Sequence, residues 1–177
     1  MLERKINNSK LRLLKDDLTM MDIEAIVFYA QPNLQLGAGF GNAITVRGGA
    51  SIQEELNGFG RCSTGDVVIT GAGQLKCSFI IHAIGPRFLE TGMEEKLRTT
   101  IKNCLVSAES KKIRKIAFPP MGTGFYGIPL DVSAEVMLDT ITEHLSGETK
   151  IEEIAICAMD NREFNAFQDK MGSPSLI

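Results

Sequence analysis

Short apolar runs and helical patterns alternate along the chain and predict strands and helices in turn. The runs are rich in Val, Ile and Leu, as strands are. Several are apolar on both faces, which is typical of strands inside a sheet that is covered on both sides. The predicted strands are KLRLL at 10–14, EAIVFYA at 24–30, DVVIT at 66–70, FIIHAIG at 79–85, KIAF at 115–118 and IEEIAICAM at 151–159.

Helical spacing lies between these runs. The apolar positions that recur with it are Leu97, Ile101, Leu105 and Ala108 in one segment and Val136, Ile141 and Leu145 in a later one. Gly147 is typical of a helix end, and Ser51 with Glu54 matches the capping box that begins a helix. The alternation predicts an α/β fold of three layers, with helices on both faces of a central mixed sheet.

The length fits one domain. A chain of 177 residues with 44% hydrophobic content can bury one substantial core. We expect a single domain over residues 1–177, with a loose tail at 171–177, MGSPSLI.

Charge and hydropathy argue against several partners. The 19 basic and 22 acidic residues give a formal charge of -3, so the positive field that nucleic-acid binding needs is missing. The apolar runs are shorter than the roughly 20 residues that span a bilayer, and the N-terminus has no signal-peptide core. We expect no nucleic-acid or membrane binding and a cytoplasmic location, while the oligomeric state is open.

The cysteines and histidines do not form a metal motif. Cys62, Cys77, Cys104 and Cys157 stand singly, and there are only two histidines. We therefore expect buried or half-buried thiols and no metal or cofactor. His82 falls in a buried strand, and His144, late on a helix, is expected to be solvated.

Three glycine-rich loops follow predicted strands. They are LGAGFGN at 36–42, TGAG at 70–73 and PPMGTGFYGIP at 119–129. Ligands of open α/β sheets bind at such strand ends. TGAG is explained by a turn alone. The other two loops each lead into a helix, so their N–H groups and the helix dipole can bind phosphate.

The third loop also fits a nucleotide pattern, although weakly. Gly122, Gly124 and Gly127 match G-x-G-x-x-G. Pro129 follows at once, and the acidic residue expected about 20 positions on is missing from a strand end, because Glu148 falls in a turn. A P-loop pattern is absent too, which disfavours a P-loop nucleotidase.

Five ordered segments resemble the macro domain family. They are DDLT at 16–19, EAIVFYAQPNLQLGAGFGNAI at 24–44, STGDVVITGAGQL at 63–75, IIHAIGP at 80–86 and IAFPPMGTGFYGIP at 116–129, and the resemblance covers roughly residues 10–168. It implies an α/β/α module that binds ADP-ribose, free or attached to protein; some members hydrolyse its ester linkages. The GAGFGN loop, with a helix and VRGG after it, is also similar to the non-catalytic macro module fused to certain histones.

The resemblance implies a role for individual residues. Asp17 would accept a hydrogen bond from the adenine amino group, although in isolation it fits a turn or helix cap. The glycine loops would hold the diphosphate under aromatic rings, and adenine would stack on Met159 or Phe164, between which the sequence does not choose. The predicted ligand site is Asp17, Leu18, Gln31, Asn33, Gly37, Ala38, Gly39, Phe40, Gly41, Met121, Gly122, Thr123, Gly124, Phe125, Tyr126 and Met159.

This chain departs from the hydrolytic members where they carry catalysis. Their NAAN stretch corresponds here to Phe28, Tyr29, Ala30 and Gln31. Their aspartate and histidine correspond to Gly41 and Thr45, and neither of these can act as a general base. The nearby amides of Gln31, Asn33 and Asn42 are no better as bases. We therefore expect a module that binds ADP-ribose or a related ADP-containing metabolite without turnover.

Two alternatives stay open. One is a hydrolase of ADP-ribosyl esters, or an ADP-ribose 1''-phosphate phosphatase, for which Asp16, Asp17 and Glu24 are the nearest carboxylates in the sequence. The other is a divergent site that has lost ADP-ribose, because Phe28 and Tyr29 are bulky.

Overall fold

The structure, a computed structural model, describes residues 1–172 and consists of a seven-stranded sheet between two layers of helices. Its strands are Leu2–Ile6 (β1), Ser9–Lys15 (β2), Ala25–Tyr29 (β3), Val67–Gly71 (β4), Phe79–Ala83 (β5), Lys115–Phe118 (β6) and Glu153–Ala158 (β7). Its α-helices are Phe40–Gly48 (α1), Ser51–Leu56 (α2), Met93–Ser110 (α3), Leu130–Ser146 (α4) and Asn161–Gly172 (α5). Single 3₁₀ turns lie at Leu18–Met20 and Gly124–Tyr126.

The strands follow the order β1-β2-β7-β6-β3-β5-β4 across the sheet. The five inner strands are parallel, and β1 and β4 pair antiparallel at the two edges. The carboxyl ends of the parallel strands therefore meet along one edge of the sheet. After β3 the chain continues on the β5 side, whereas β6 leads to β7 on the other side. The switch point, where such sheets bind ligands, lies between β3 and β6.

Two apolar clusters fill the space on the two faces of the sheet. Ala25, Val27 and Tyr29 of β3 face the layer of α3, α4 and α5. Ile26 and Phe28 face the layer of α1 and α2. Strand β3 is buried along its whole length, because both faces are covered. The predicted three-layer α/β/α architecture is confirmed.

All six predicted strands are present, with ends that differ by at most two residues from the prediction. The two helical patterns correspond to α3 and α4, and Gly147 caps the carboxyl end of α4. Strand β1 was not predicted. Its sequence, LERKI, carries three consecutive charged residues. This is typical of an edge strand, which pairs with one neighbouring strand and is partly exposed to solvent.

Two local expectations are wrong, and a third falls mostly outside the described residues. Helix α2 begins without a capping box, because its N-cap is Ala50 and no side chain caps it. His144 is not solvated; its side chain is 18% exposed and its Nε2 lies 3.6 Å from Glu109 Oε1. The segment expected to be loose begins inside α5, where Met171 is buried and Gly172 is helical; its remaining residues, 173–177, lie outside the described residues.

The cysteines occupy buried or half-buried positions, as expected. Cys77, Cys104 and Cys157 are buried, and Cys62 is half-buried. None of the helices within residues 1–172 has the length and apolar character needed to cross a membrane.

Candidate ligand-binding site

The two long glycine loops lie side by side, because they follow the neighbouring strands β3 and β6. Gly37 and Gly39 in the first loop have φ values of 68° and 61°, and Gly122 and Gly124 in the second have 73° and 70°. Only glycine adopts this region of φ readily. Left-handed residues alternating with others bring successive N–H groups to one side of the chain and create an anion-binding concavity.

The N–H groups of both loops are available to a ligand. Residues 37–39 and residues 122–124 have backbone N–H groups with no hydrogen-bond acceptor anywhere in the described chain, residues 1–172. Helix α1 begins at Phe40, directly after residues 37–39. Its own unpaired N–H groups and the positive end of its dipole therefore lie next to the free N–H groups of the loop. Three free donors in each loop, with a helix N-terminus directly after the first set, favour an anion with several oxygens, such as a diphosphate.

Asp17 lies at the carboxyl end of β2 and caps the 3₁₀ turn that follows. Its Oδ1 accepts from Thr19 N at 3.0 Å and from Thr19 Oγ1 at 2.6 Å, and its Oδ2 faces Arg47 Nη1. Burial raises the pKa of Asp17, but the hydrogen bonds from Thr19 and Arg47 lower it by more, so the pKa lies below its ordinary value. The cap interpretation is confirmed, and the side chain, 43% exposed, stays accessible to a ligand.

Met159 and Phe164 differ in their availability. Met159 directly follows β7 and its side chain is 73% exposed. Phe164 is half-buried and packs against the core beneath α5. Strands β2 and β7 are neighbours, and Asp16 N donates to Ala158 O at 3.1 Å. Met159 is therefore an exposed apolar side chain at the end of the strand next to the one that Asp17 follows.

The bulky departures from NAAN are absorbed into the core. Phe28 and Tyr29 are both buried, on opposite faces of β3. Phe28 packs 5.6 Å from Phe40, ring centre to ring centre, and Tyr29 lies 4.5 Å from Tyr126. The Tyr29 hydroxyl donates to Pro86 O, and burial raises the pKa of this phenol. Each ring therefore packs against an aromatic side chain of one loop region, Phe28 against Phe40 and Tyr29 against Tyr126.

Gly41 lies in the first turn of α1, where an added Cβ would overlap the Leu36 carbonyl group. An aspartate cannot occupy this position unless the loop moves. Thr45, one turn on, donates its hydroxyl to Gly41 O at 3.0 Å. The two positions that the family resemblance pairs with catalytic residues therefore hold no acid and no base.

The three carboxylates nearest in sequence all accept hydrogen bonds from other residues. Glu24 lies at the amino end of β3, the opposite edge of the sheet, where its Oε2 accepts from Arg114 N at 2.6 Å. It cannot reach the glycine loops, so its suggestion as a base is wrong. Asp16 accepts the N–H of Asp17, and Asp17 is engaged by Thr19 and Arg47.

Other predicted site residues fall into two groups. Leu18 and Met121 have buried side chains, so they offer only backbone to a ligand. Gln31 and Asn33 belong to the first loop. Gln31 Nε2 lies 3.4 Å from where a Cβ on Gly37 would be, while Asn33 Oδ1 accepts from the N–H of Gln35 at 3.1 Å.

Phe125 and the residues around it complete the second loop. The Phe125 side chain is 82% exposed and stands edge-on to the half-buried Tyr126, with 5.4 Å between ring centres. Thr123 donates its hydroxyl to Pro120 O. Within residues 1–172 no three His, Cys, Asp or Glu side chains are grouped closely enough to hold a metal ion.

Two polar side chains at the site were not predicted from the sequence. Arg47 of α1 reaches Asp17, and Gln53 of α2 bonds the backbone of the first loop. Each partner is distant in sequence. A charge or an amide on a helix carries no local pattern that reveals such a contact.

The chain is similar to known proteins in sequence and in fold. The model of the Macro domain family matches residues 29–137. A macro domain-containing protein of Listeria monocytogenes is 36% identical over 172 residues, which cover 93% of this chain and 98% of the relative. The Oceanobacillus iheyensis macrodomain with ADP superposes with a TM-score of 0.90 at 32% identity, covering 97% of this chain and 94% of that one. A mutant of that macrodomain with ADPR gives 0.89 at 30% identity, covering 97% and 96%.

Proposed function

Because the chain belongs to the macro domain family, we propose that it binds ADP-ribose or a related ADP-containing metabolite, free or attached to protein, without turning it over. The observation that carries this proposal is the pair of adjacent loops with rows of unpaired N–H groups at residues 37–39 and 122–124. The relatives solved with ADP and with ADPR support it.

The order of the strands suggests how the ligand lies. Asp17 follows β2, Met159 follows β7, and the two loops follow β6 and β3. Four neighbouring strands span three inter-strand spacings of about 4.8 Å each, or roughly 14 Å. An elongated ligand along this edge places adenine at Asp17 and Met159, the diphosphate on the loops and the distal ribose beyond β3.

The side chains near the proposed distal-ribose position support binding without hydrolysis. Hydrolysis of an ADP-ribosyl linkage needs an oriented water and a base. Gln31 is a neutral amide, and Gly41 and Thr45 replace the acid and the histidine. Phe28 and Tyr29 are buried, which argues against a ligand site blocked by these two large side chains.

Titration calorimetry of the purified chain tests the proposal. ADP-ribose, AMP and buffer are injected separately. We expect saturable one-to-one binding of ADP-ribose and weaker binding of AMP, which lacks the second phosphate and the distal ribose. An ADP-ribose injection that gives no more heat than buffer would show that the proposed function is wrong.

A further inference from the structure

A strained turn directly precedes the first glycine loop. Leu34 has a φ of 58°, in the left-handed region that a leucine rarely adopts. Its side chain is buried against the α1 and α2 layer, so the residue cannot relax by swinging outward. Strained conformations persist only where surrounding contacts hold them, and they concentrate at functional sites.

The side chain of Gln53 supplies such contacts. From helix α2, its Oε1 accepts from Leu36 N at 2.9 Å, and its Nε2 donates to Leu34 O at 3.2 Å. Nε2 also donates to Asn57 Oδ1 at 3.0 Å. The Leu36 N–H can only donate and the Leu34 carbonyl can only accept, so the two backbone bonds fix which end of the amide is the donor. One planar group therefore holds the backbone on both sides of residue 35.

The backbone that Gln53 holds, at Leu34 and Leu36, ends directly before the free N–H groups of residues 37–39. Gly37 follows Leu36 directly, and the Leu36 carbonyl lies against Gly41 in the first turn of α1. The row at residues 37–39 is thus held on one side by Gln53 and on the other by the helix. A loop that is already in its binding conformation has less entropy to lose when a ligand arrives.

We propose that Gln53 is a positioning residue that holds the first glycine loop in its anion-binding conformation before any ligand is present. The ligand measurements that test this role rest on the proposed function, because they use ADP-ribose. It makes Gln53 a determinant of phosphate affinity, although the side chain itself bonds only Leu34, Leu36 and Asn57.

The variant Gln53→Met keeps the length of the side chain and removes its hydrogen bonds. We expect ADP-ribose affinity to fall about tenfold or more, since two hydrogen bonds of ordinary net strength correspond to that ratio. Affinity for adenosine, which carries no phosphate, should stay unchanged, whereas a general folding defect would weaken both. The matched control is Asn57→Ala, which removes only the bond on the helix side and should change ADP-ribose affinity by less than about twofold.

A second measurement needs no ligand. In the amide NMR spectrum, Gly37 and Gly39 should give single sharp signals in the wild type and in Asn57→Ala, and broadened or doubled signals in Gln53→Met. Gly147, at the carboxyl end of α4 on the opposite edge of the sheet, should be unaffected in every variant. If the methionine variant does not fold, Gln53→Glu takes its place, because it keeps the acceptor for Leu36 and loses the donor to Leu34.

The outcomes separate the two proposals. If the wild type binds no ADP-ribose, the proposed function is wrong, and the ligand-free signals of Gly37 and Gly39 still decide whether Gln53 holds the loop. If the wild type binds and Gln53→Met binds equally well, the positioning role is overturned, whatever the signals show. Unchanged loop signals would overturn it as well.

Discussion

Arg47 Nη1 lies 2.5 Å from Asp17 Oδ2 and joins helix α1 to the turn after β2. Thr19 occupies the other carboxylate oxygen with its N–H and its hydroxyl. A carboxylate offers about four acceptor positions, and these three donors leave about one on Oδ2. Asp17 can therefore cap the turn and accept a hydrogen bond from a ligand at the same time.

The variant Asp17→Ala tests the adenine end. We expect ADP-ribose affinity to fall about tenfold or more, because a hydrogen bond to a charged acceptor is worth ~1.5 to 3 kcal/mol. Loss of the cap should also lower the free energy of unfolding by ~1 kcal/mol, so binding is measured well below the unfolding temperature. Asp22→Ala, at a nearby exposed carboxylate, is the control. Equal affinity of the wild type for GDP-ribose and ADP-ribose would contradict adenine recognition by Asp17.

Met159 and Phe164 should respond in opposite ways to truncation. Met159→Ala should weaken ADP-ribose binding about fivefold, since a thioether on an aromatic ring contributes ~1 kcal/mol. Its thermal midpoint should barely change, because the side chain is exposed. Phe164→Ala should lower the free energy of unfolding by ~2 kcal/mol, because it leaves a gap under α5. The opposite pattern, with binding lost only in Phe164→Ala, would assign the stacking role to Phe164.

The features that sequence reasoning predicted are local ones. The apolar run of β3 and the helical spacing of α3 report burial directly, because a buried face must be apolar. The glycine loops were predictable for a similar reason. Alternate glycines after a strand permit the left-handed φ values that Gly37 and Gly39 adopt.

The features that sequence reasoning missed depend on contacts between distant residues. Arg47 meets Asp17 across 30 positions, and Gln53 meets Leu36 across 17. Neither side chain differs in its local pattern from any solvated residue on a helix. Phe28 and Tyr29 were recognised as departures, but only the packing of the two layers shows that both are buried.

Gly124→Glu should abolish tight ADP-ribose binding. An added Cβ at Gly124 meets no atom within 4 Å, so the substitution places bulk and negative charge in the open space above the second loop. We expect a loss of ~2 kcal/mol or more in binding free energy from steric exclusion and like-charge repulsion. Gly92→Glu is the matched control, because Gly92 has a φ of 68° and equally open surroundings.

Both glutamate variants should show the same small loss of stability from the left-handed backbone. Differential scanning fluorimetry measures that loss and calorimetry measures binding. If ADP-ribose binds Gly124→Glu as tightly as Gly92→Glu, the second loop does not hold the diphosphate.

Hydrolysis should stay close to background in the wild type. General-base assistance contributes ~10²- to 10⁴-fold, and Gly41, which the family resemblance pairs with a catalytic aspartate, supplies no base. The purified chain is incubated with a glutamate-linked ADP-ribosyl protein and, separately, with ADP-ribose 1''-phosphate, and products are followed by chromatography beside a competent hydrolase. Release at a comparable rate from either substrate would overturn the binding-only proposal.

Introducing the aspartate and the histidine of hydrolytic members at positions 41 and 45 should not create a hydrolase. In Gly41→Asp/Thr45→His, the aspartate Cβ overlaps the Leu36 carbonyl group, so the loop must move away from its binding conformation. We expect ADP-ribose affinity to fall and hydrolysis to stay at the wild-type level. Thr45→His alone, at an exposed position, should bind like the wild type. Turnover by the double variant would show that the loop adapts without cost.

His82 is fully buried on β5, edge-on to Phe28 with 6.0 Å between ring centres. Its Nε2 is 2.8 Å from Thr70 Oγ1. The Thr70 hydroxyl donates to Gly71 O, so it accepts from Nε2–H of His82. The other nitrogen, Nδ1, has no hydrogen-bond partner within the described residues. His82 is therefore neutral in the folded protein, and burial lowers its pKa to about 4.

This lowered pKa predicts a loss of stability in mild acid. The ordinary pKa of histidine is about 6.5, so between pH 6.5 and pH 4 the unfolded chain binds a proton at His82 that the folded chain does not. Stability is complete above pH 6.5 and declines as the pH falls through this window, by up to about 3 kcal/mol. Urea unfolding at pH 7.0, 6.0 and 5.0 measures the decline, and His82→Leu should abolish most of it. Asp17 and Glu109, whose pKa values lie below the ordinary values of 3.8 and 4.5, titrate mainly at lower pH than this window. If the wild type and His82→Leu lose stability equally between pH 7.0 and pH 5.0, His82 is not the group that titrates.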